Sequence, residues 1–362
     1  MFLTWMQKIV RIILLFHLIV KYENTTNKMK VLFNTEGNKS IGMGAFYDCT
    51  ILAEKLRERF NAKIKFLISH DSEKDVKGAL LNGHDVERVD MRDTEIFFNS
   101  VKEFKPDIIV QNLLNLKEDY MEGLNKLKVK IVDISHKMDF KDHLKADIVI
   151  SLLCDSTDMK CLYGPRYAIL DNKFGDLKKR ETKGTANKLL ISFGGSDVNN
   201  LTFKLIKVLD KIDISFHVNV VIGPGFGDED VIDENLNSLT NKKRFIINKK
   251  VTDMVSLILG SDLAFVSGGR TICELAAAGT PGIVFAQNEL EYCRLKEFEK
   301  WGSVLNYGYF MDNDKNLSSD IENVVLNKAL REELSRKGRE LVDGNGVDRI
   351  IDAIVEHNGK AA

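Results

Sequence analysis

Apolar runs typical of strands alternate twice along the chain with segments of helical periodicity, and this alternation restricts the fold more than any other feature. Segments such as Cys49–Phe60 and Thr94–Phe104 repeat apolar residues at helical spacing. The first series of predicted strands comprises Val31–Asn34, Lys63–Ser69, Val86–Asp90, Asp107–Leu113, Val129–Asp133 and Asp147–Leu152. The second comprises Lys188–Phe193, Phe216–Ile222, Arg244–Ile247, Asp262–Val266 and Gly282–Ala286. Each series predicts an α/β domain whose parallel sheet is covered by helices on both faces.

The domain boundaries follow from length and from a change in pattern. A chain of 362 residues is too long for one ordinary core, because domains commonly hold about 150 residues. We predict a Rossmann-like domain over residues 29–170, a charged linker without apolar period over 171–187, and a second domain over 188–345. Residues 346–362 are predicted as a C-terminal helix and tail. Two such domains are expected to face each other across a cleft, with ligands at the carboxyl ends of the strands.

Residues 1–28 need separate treatment because Ile9–Val20 is strongly apolar. The apolar run is too short for a helix that spans a bilayer, which needs about 20 residues. The residues after it lack the small-x-small pattern of a signal-peptide cleavage site. Three interpretations stay open: an extension outside the fold, an interfacial anchor that makes peripheral membrane contact through residues 9–20, and a signal or spanning segment.

Composition excludes several classes of function. The formal net charge of −1 and the interspersed charges give no electrostatic basis for binding nucleic acid. The five cysteines form no CxxC pair and are odd in number, which favours reduced thiols over a disulfide framework or a zinc site. We therefore expect a cytoplasmic protein without a structural metal or cofactor, and leave membrane association open.

Three glycine-bearing turns follow predicted strands: Ile41–Asp48, Ile191–Asp197 and Ser267–Glu274. Glycine lets the backbone approach a ligand closely, and the start of the following helix offers N–H groups and a positive dipole end to a phosphate. In the third turn Glu274 is an acceptor near enough to hold sugar hydroxyls. One such turn is more often only a tight connection, but three at corresponding places in two domains predict a nucleotide diphosphate site.

These residues resemble a known family. Gly194-Gly195-Ser196 and Ser267–Pro281 look like the carboxyl domain of the GT-B enzymes that include the UDP-GlcNAc transferase of lipid II synthesis. The fuller resemblance is to the UDP-sugar hydrolases of pseudaminic acid biosynthesis, whose Gly-Pro-x-Tyr-Ala-x-Leu pattern appears as Gly164–Leu170 and continues in Ile191–Asp197 and Asn200-Leu201-Thr202. The resemblance covers residues 29 to about 350 and implies the GT-B fold, with a UDP-sugar in the cleft between two Rossmann-like domains.

The resemblance also implies roles for individual residues. The implied nucleotide-binding and substrate-binding residues are Gly42, Gly44, Gly194, Gly195, Ser196, Ser267, Gly268, Gly269, Thr271, Glu274, Asn288 and Glu289. Those from Ser267 to Thr271 would surround the diphosphate, and Glu274 would accept from the ribose hydroxyls. Residues 194–196 would line the cleft beneath the nucleotide, and Asn288 and Glu289 would lie near the sugar. The alternative for Glu274 is a solvated acid near a helix amino terminus.

The first turn departs from the family at the reacting centre. Where the family has histidine, the chain has Ala45, and loss of a positioned general base typically costs about 10²–10⁴-fold in rate. The usual arginine three residues later is Asp48, and the family's paired aspartates survive only as Asp133. Asp48 shares a helical face with Ala45 and is the candidate replacement base, the alternative being that it only caps or complements the helix amino terminus. His136 is a further candidate, although a lone histidine is more often a surface or packing residue.

Three functions remain open at this point. The first is a hydrolase that releases UDP and sugar, as the UDP-2,4-diacetamido-2,4,6-trideoxy-hexose hydrolases of nonulosonate biosynthesis do. The second is a UDP-sugar-dependent glycosyltransferase of surface-glycan synthesis, with a small-molecule or glycan acceptor. The third is a catalytically silent protein that binds nucleotide-sugars, because Ala45 replaces the histidine.

Overall fold

The computed structural model describes most of the chain. The described ranges are 28–37, 42–69, 83–89, 94–114, 118–135, 146–153, 161–178, 180–195, 197–223, 226, 234–310 and 316–356. The apolar segment Ile9–Val20, His136 and Ser196 lie outside them. Within these ranges no helix combines the length and the hydropathy that crossing a membrane requires. The described chain forms two compact units, the first with residues 28–37, 43–169 and 346–356, the second with Gly42 and residues 170–345.

A parallel sheet of seven described strands forms the centre of the first unit, in the order β3-β2-β1-β4-β5-β6-β7. The strands are β1 (Lys30–Thr35), β2 (Lys63–Ser69), β3 (Asp85–Val89), β4 (Ile108–Asn112), β5 (Lys130–Ser135), β6 (Ile148–Ser151) and β7 (Cys161–Tyr163). The helices between them include α1 (Gly44–Phe60), α2 (Thr94–Phe104) and α3 (Glu118–Asn125). The strand order runs from β1 outward to β3 on one side and from β4 outward to β7 on the other. The loops that follow β1 and β4 therefore lead away from each other.

Both faces of this sheet are buried, which explains why its strands are continuous apolar runs. On one face Phe33 of β1 packs in a core with Leu52 of α1. On the other face Leu32 packs in a second core with Val101 of α2 and Leu124 of α3. The helical segments predicted from periodicity are the elements that supply these contacts.

A parallel sheet of six described strands forms the second unit, in the order β10-β9-β8-β11-β12-β13. The strands are β8 (Lys188–Ser192), β9 (His217–Ile222), β10 (Phe245–Lys249), β11 (Leu263–Ser267), β12 (Gly282–Ala286) and β13 (Leu305–Tyr309). The helices include α4 (Leu201–Asp210), α5 (Met254–Gly260), α6 (Thr271–Ala278), α7 (Glu289–Lys300), α8 (Leu317–Leu326) and α9 (Lys328–Leu341). The predicted α/β class with two parallel sheets is thus confirmed.

Two edge strands were missed by the sequence analysis. β7 has only three residues, and β13 carries Asn306, Gly308 and two tyrosines in place of an apolar run. An edge strand has one neighbour and a partly exposed surface, so it does not need the continuous apolar pattern of a central strand.

The segment 171–187, predicted as a linker, lies within the second unit, where arginines bind its backbone. The guanidinium of Arg331 donates to the carbonyl oxygens of Lys183 (2.6 Å) and Gly184 (2.8 Å). Arg339 donates to the carbonyls of Leu177 (2.6 Å) and Lys178 (2.9 Å). Backbone acceptors leave no periodic pattern in a sequence, which is why this packed segment resembles a free linker.

The last described helix, α10 (Gly346–Glu356), belongs to the first unit. Ile350, Ile351 and Ile354 are completely buried in the core that also contains α1. Arg59 of α1 also contacts α10, since its guanidinium lies 2.8 Å from the Asp352 carboxylate. The helix that the sequence analysis set apart as a C-terminal element therefore completes the core of the first domain.

The buried face of α10 gives a test of this arrangement. Ile350→Ala should lower the free energy of unfolding of the first unit by about 2–5 kcal/mol, because it leaves a cavity in a closed core. The matched change Ile96→Ala, at a residue of α2 that is 38% exposed, should cost less than about 1 kcal/mol. Urea unfolding of both variants measures the difference, and equal costs would show that α10 is not part of the core.

Candidate functional site

Three neighbouring strands of the second unit end at the same edge of the sheet, and most of the predicted binding residues follow them. Gly194 and Gly195 come after β8, Ser267 ends β11 and residues 268–271 follow it, and Asn288 comes after β12. β11 is hydrogen-bonded to β8 on one side and to β12 on the other. The fold therefore brings three separately predicted turns together at the carboxyl edge of one sheet.

The turn after β11 has the form that the sequence predicts: strand, two glycines, helix. Ser267 and Gly268 are buried, and Gly269 and Arg270 are partly exposed. Helix α6 begins at Thr271, and no side chain caps its amino end. The first N–H groups of a helix have no acceptor within the helix, so they are available to an anion at this point.

Arg270 is a charged residue of this turn that the sequence analysis passed over. It holds the N-cap position of α6, directly after the two glycines. Burial raises the pKa of Glu274, one helical turn later, and the positive charge of Arg270 opposes this shift. A guanidinium at this position adds a full charge to the dipole of the helix, and both favour an anion.

Glu274 lies on the same turn of helix and is partly buried. Burial raises the pKa of its carboxyl, the Arg270 charge and a hydrogen bond with Thr271 oppose this shift, and the charge of Asp171 adds to it. Its side chain is thus partly shielded from solvent near the amino end of α6. The Asp171 carboxylate accepts from the Lys173 N–H (2.9 Å), and the 3₁₀ turn that begins after Asp171 contacts α6.

The start of α7 is fixed against the glycine turn by Glu291. Its carboxylate accepts from the N–H of Gln287 (2.9 Å) and is hydrogen-bonded by Ser267 and by the backbone of Gly268. Burial raises the pKa of Glu291, while these hydrogen bonds and the charge of Arg294 act against the shift. The guanidinium of Arg294 donates to the Gly268 carbonyl oxygen (2.8 Å). The two loops are thus joined by a partly buried acid and a buried base.

Only glycine fits at position 268. A Cβ atom there would lie 2.7 Å from the carbonyl oxygen of Glu291, closer than any real contact. A Cβ atom on Gly269 would have its nearest neighbours at 3.7 Å, an ordinary contact. Gly268 therefore serves the packing of α7, and Gly269 is the glycine that leaves the turn open.

The loop after β8 is tied into the same arrangement. The side-chain amide of Gln287 donates to the Phe193 carbonyl (3.0 Å), and Asn199 donates to the Gln287 carbonyl (3.0 Å). Gly194 has φ of +81°, a left-handed conformation that favours glycine. Asp197 accepts from the first two N–H groups of α4, at 2.8 Å each. Sequence reasoning missed the two contacts of Gln287 because they join residues far apart in the chain.

The two residues predicted near a sugar are held at the amino end of α7. Asn288 is its N-cap, and its Oδ1 accepts from the Glu291 N–H (3.0 Å). Glu289, the first residue of the helix, accepts from the Tyr309 hydroxyl at the end of β13 (3.0 Å). Both side chains are exposed, and each accepts the hydrogen bond described above.

The first turn of the first unit is organised around the amino end of α1. Gly44 is the first residue of α1, and the Ala45 carbonyl accepts from the Asn112 amide at the end of β4 (3.2 Å). Asp48 is only 7% exposed. The N-cap residue of α1 is Met43, so Asp48 does not cap the helix. Burial, with the Asp48 charge adding to it, raises the pKa of the adjacent Cys49 thiol.

Asp133 lies under the carboxyl edge of the first sheet in a buried polar cluster. The Tyr120 hydroxyl in this cluster accepts from the Asn34 amide (2.7 Å). Burial raises the pKa of Tyr120, and the charge of Asp133 adds to the shift. In the part of the chain that the structure describes, no group of three or more His, Cys, Asp or Glu side chains is arranged to hold a metal ion.

Two curated proteins are similar in sequence to this chain. The uncharacterized protein MJ1062 of Methanocaldococcus jannaschii is 32% identical over 304 residues, which is 78% of this chain and 62% of that protein. The chain thus spans less than two thirds of the length of this relative. The spore coat polysaccharide biosynthesis protein SpsG of Bacillus subtilis is 25% identical over 338 residues, or 89% of this chain and 96% of SpsG. No protein-family model matches the chain.

Solved structures decide the fold. MurG of Acinetobacter baumannii is similar with a TM-score of 0.67 at 12% identity, over 90% of this chain and 99% of MurG. HepE of Anabaena, solved with UDP-glucose, is similar with a TM-score of 0.59 at 15% identity, over 91% of this chain and all of HepE. The chain has the GT-B fold. The expected GT-B architecture, inferred from the motifs of the carboxyl half, is therefore confirmed.

The two glycines of the GT-B carboxyl unit should differ sharply on substitution. Gly268→Ala should lower the free energy of unfolding by about 1–3 kcal/mol, because the added methyl overlaps the backbone of α7. Gly269→Ala should change it by about 0.5 kcal/mol or less, since its Cβ meets only ordinary contacts. Thermal or urea unfolding measures both. A Gly268→Ala variant as stable as the Gly269→Ala variant would contradict the close packing of α7 on the turn.

Proposed function

We propose that this protein binds a UDP-sugar and cleaves the bond between the sugar and the diphosphate, as the hydrolases of nonulosonate biosynthesis do. The observation that carries the proposal is the turn from β11 to α6. It combines a glycine-opened backbone, the free amino end of a helix, the Arg270 guanidinium, and the acceptor Glu274 one turn further on. Each of these groups suits a different part of a nucleotide diphosphate.

In this proposal the diphosphate lies against the turn at residues 267–271. The N–H groups of Gly269 and Thr271 and the charge of Arg270 bind its oxygens, and Ser267, Gly268 and Gly269 form the wall. Cleavage leaves negative charge on the departing diphosphate. Donors fixed in advance at that point stabilise the charge in the transition state more than in the ground state.

The remaining assignments place the nucleoside and the sugar on either side of the turn. Glu274 accepts from the ribose hydroxyls, and Gly194, Gly195 and Ser196 line the floor beneath the nucleotide. Asn288 and Glu289 meet the sugar. Gly42 and Gly44 of the first turn are assigned to substrate binding, because glycine there leaves room for close approach.

The comparisons support the choice of a nucleotide-sugar. SpsG is named for the biosynthesis of spore coat polysaccharide, and HepE was crystallised with UDP-glucose and with UDP and glucose. The longer motif match over Gly164–Leu170 favours hydrolysis over transfer. In the structure this motif is a turn in which Gly164 has φ of +89° and Pro165–Tyr167 forms one turn of 3₁₀ helix.

Asp48 is the proposed general base. The methyl group of Ala45 cannot accept a proton, and Asp48 lies three residues further along the same helix. In the proposed step water attacks the anomeric carbon and gives its proton to Asp48. The bond from that carbon to the diphosphate oxygen breaks, and its electron pair leaves with UDP. The low exposure of Asp48 keeps bulk water from competing for the carboxylate.

The experiment that tests this function follows UDP by ³¹P NMR after the protein is mixed with UDP-sugars. We expect UDP release, and Asp48→Asn should reduce its rate by about 10²-fold or more with UDP affinity nearly unchanged. Glu58→Gln, at an exposed acid of the same helix, should leave the rate unchanged. Ala45→His should raise the rate by restoring a base.

Three results would contradict parts of the proposal. Binding of UDP-sugars without UDP release over hours would identify a silent binding protein. Release that requires an added acceptor would identify a transferase. An Asp48→Asn variant with the rate of the parent protein would remove Asp48 as the base.

A further inference from the structure

The edge strand β13 contains an irregularity directly beside α7. Its pairing with β12 joins Ile283 to Leu305 and Val284 to Asn306, but then Ala286 to Tyr309, so β13 holds one extra residue. Gly308 lies in this bulge with φ of +59°, and its N–H donates to the Asn306 side chain (2.7 Å). A bulge with a left-handed glycine bends the strand and turns the following side chain to a new direction.

The side chain that the bulge redirects is Tyr309. Leu305 and Tyr307 pack against the core of the second unit, and strict alternation would place Tyr309 on the same side. Tyr309 instead stacks on Tyr292 of α7, with ring centroids 5.2 Å apart and planes 24° apart. It stays 43% exposed, and its hydroxyl donates to the Glu289 carboxylate (3.0 Å).

This pair occupies the carboxyl edge of the sheet, beside the proposed diphosphate site. Tyr309 is the last residue of β13, and Glu289 is the first of α7. Two positions along the same helix, Glu291 contacts the glycine turn after β11. The amino end of α7 thus connects the turn to Tyr309, whereas Glu274 is on α6, within the influence of the Asp171 charge.

We infer that Tyr309, aimed by the bulge at Gly308 and paired with Glu289, reads the sugar of the bound nucleotide-sugar. The inference rests on the proposed function, in which Glu274 holds the ribose and the diphosphate lies against the turn. With the nucleoside on the α6 side, the sugar extends toward α7 and β13. There the exposed tyrosine ring offers an apolar surface for the C–H face of a pyranose.

The chemistry of the pair favours a neutral sugar. The Glu289 carboxylate accepts hydrogen bonds from hydroxyl or acylamino groups, and the Tyr309 hydroxyl can donate or accept. A sugar carboxylate would meet the like charge of Glu289. The nearby ammonium of Lys296 lies over the Tyr292 ring at 4.3 Å, and Cys293 contacts the other oxygen of Glu289 (3.8 Å). The pair therefore selects neutral hexoses and acylamino sugars over hexuronic acids.

Titration calorimetry of the full chain with UDP, UDP-GlcNAc and UDP-glucuronic acid tests the inference. UDP-GlcNAc should bind more tightly than UDP-glucuronic acid by about tenfold or more. Tyr309→Phe should weaken the binding of UDP-GlcNAc by about three- to tenfold, the equivalent of one hydrogen bond, and leave the binding of UDP unchanged. Tyr309→Ala should weaken the binding of UDP-GlcNAc further. Glu289→Gln should reduce the difference in affinity between UDP-GlcNAc and UDP-glucuronic acid.

The matched control is Tyr307→Phe. Tyr307 lies on the same strand, and its hydroxyl donates to the Asp320 carboxylate (2.5 Å), away from α7. This variant should bind all three ligands as the parent protein does. Gly308→Ala, which strains the bulge, should reproduce the loss seen with Tyr309→Phe.

The outcomes separate this inference from the proposed function. Unchanged UDP-GlcNAc affinity in Tyr309→Phe and Tyr309→Ala, with UDP still bound, would overturn the role of Tyr309 alone. Equal affinity of the parent protein for UDP-GlcNAc and UDP-glucuronic acid would overturn the selection by Glu289. A parent protein that does not bind UDP would overturn the proposed function, and the inference with it.

Discussion

The carboxylate of Glu291 is the group on which the geometry of the candidate site depends. It accepts from the loop after β12 and is hydrogen-bonded by the turn after β11, so two loops that neighbouring strands present separately become one surface. Arg294 completes the link from the same helix by donating to the Gly268 carbonyl. Because Arg294 is buried and Glu291 is partly buried, loss of either charge would leave the other poorly compensated, which costs more than an exposed pair contributes.

The acidic and basic groups at this edge of the second sheet have different surroundings. The Glu291 carboxylate is held by hydrogen bonds at the turn and lies within the influence of the Arg294 charge. Arg270 is positive and partly exposed at the free amino end of α6. An incoming anion therefore meets the guanidinium and the helix end, while the acid that fixes the turn is occupied by hydrogen bonds. Such preorganised donors need no rearrangement when charge develops.

The sequence was sufficient for features that repeat or lie close together in the chain. Strand periodicity and the glycines at 268 and 269 predicted the sheets and the turn between β11 and α6, because these depend on local geometry. It was insufficient where the partners are distant. The contact of Glu291 with residue 268 has no local signal, and neither does the binding of residues 177–184 by arginines of α9. The bulge at Gly308 is equally invisible, since it shows only as pairing between two strands.

A crystal structure of the full chain with UDP is the most direct test of the nucleotide site. We expect the diphosphate within hydrogen-bond distance of the N–H groups of Gly269 and Thr271 and of the Arg270 guanidinium. We also expect the ribose hydroxyls at the Glu274 carboxylate. UDP bound elsewhere on the protein, or a turn at residues 267–271 that stays without UDP at saturating concentration, would contradict the proposed nucleotide site.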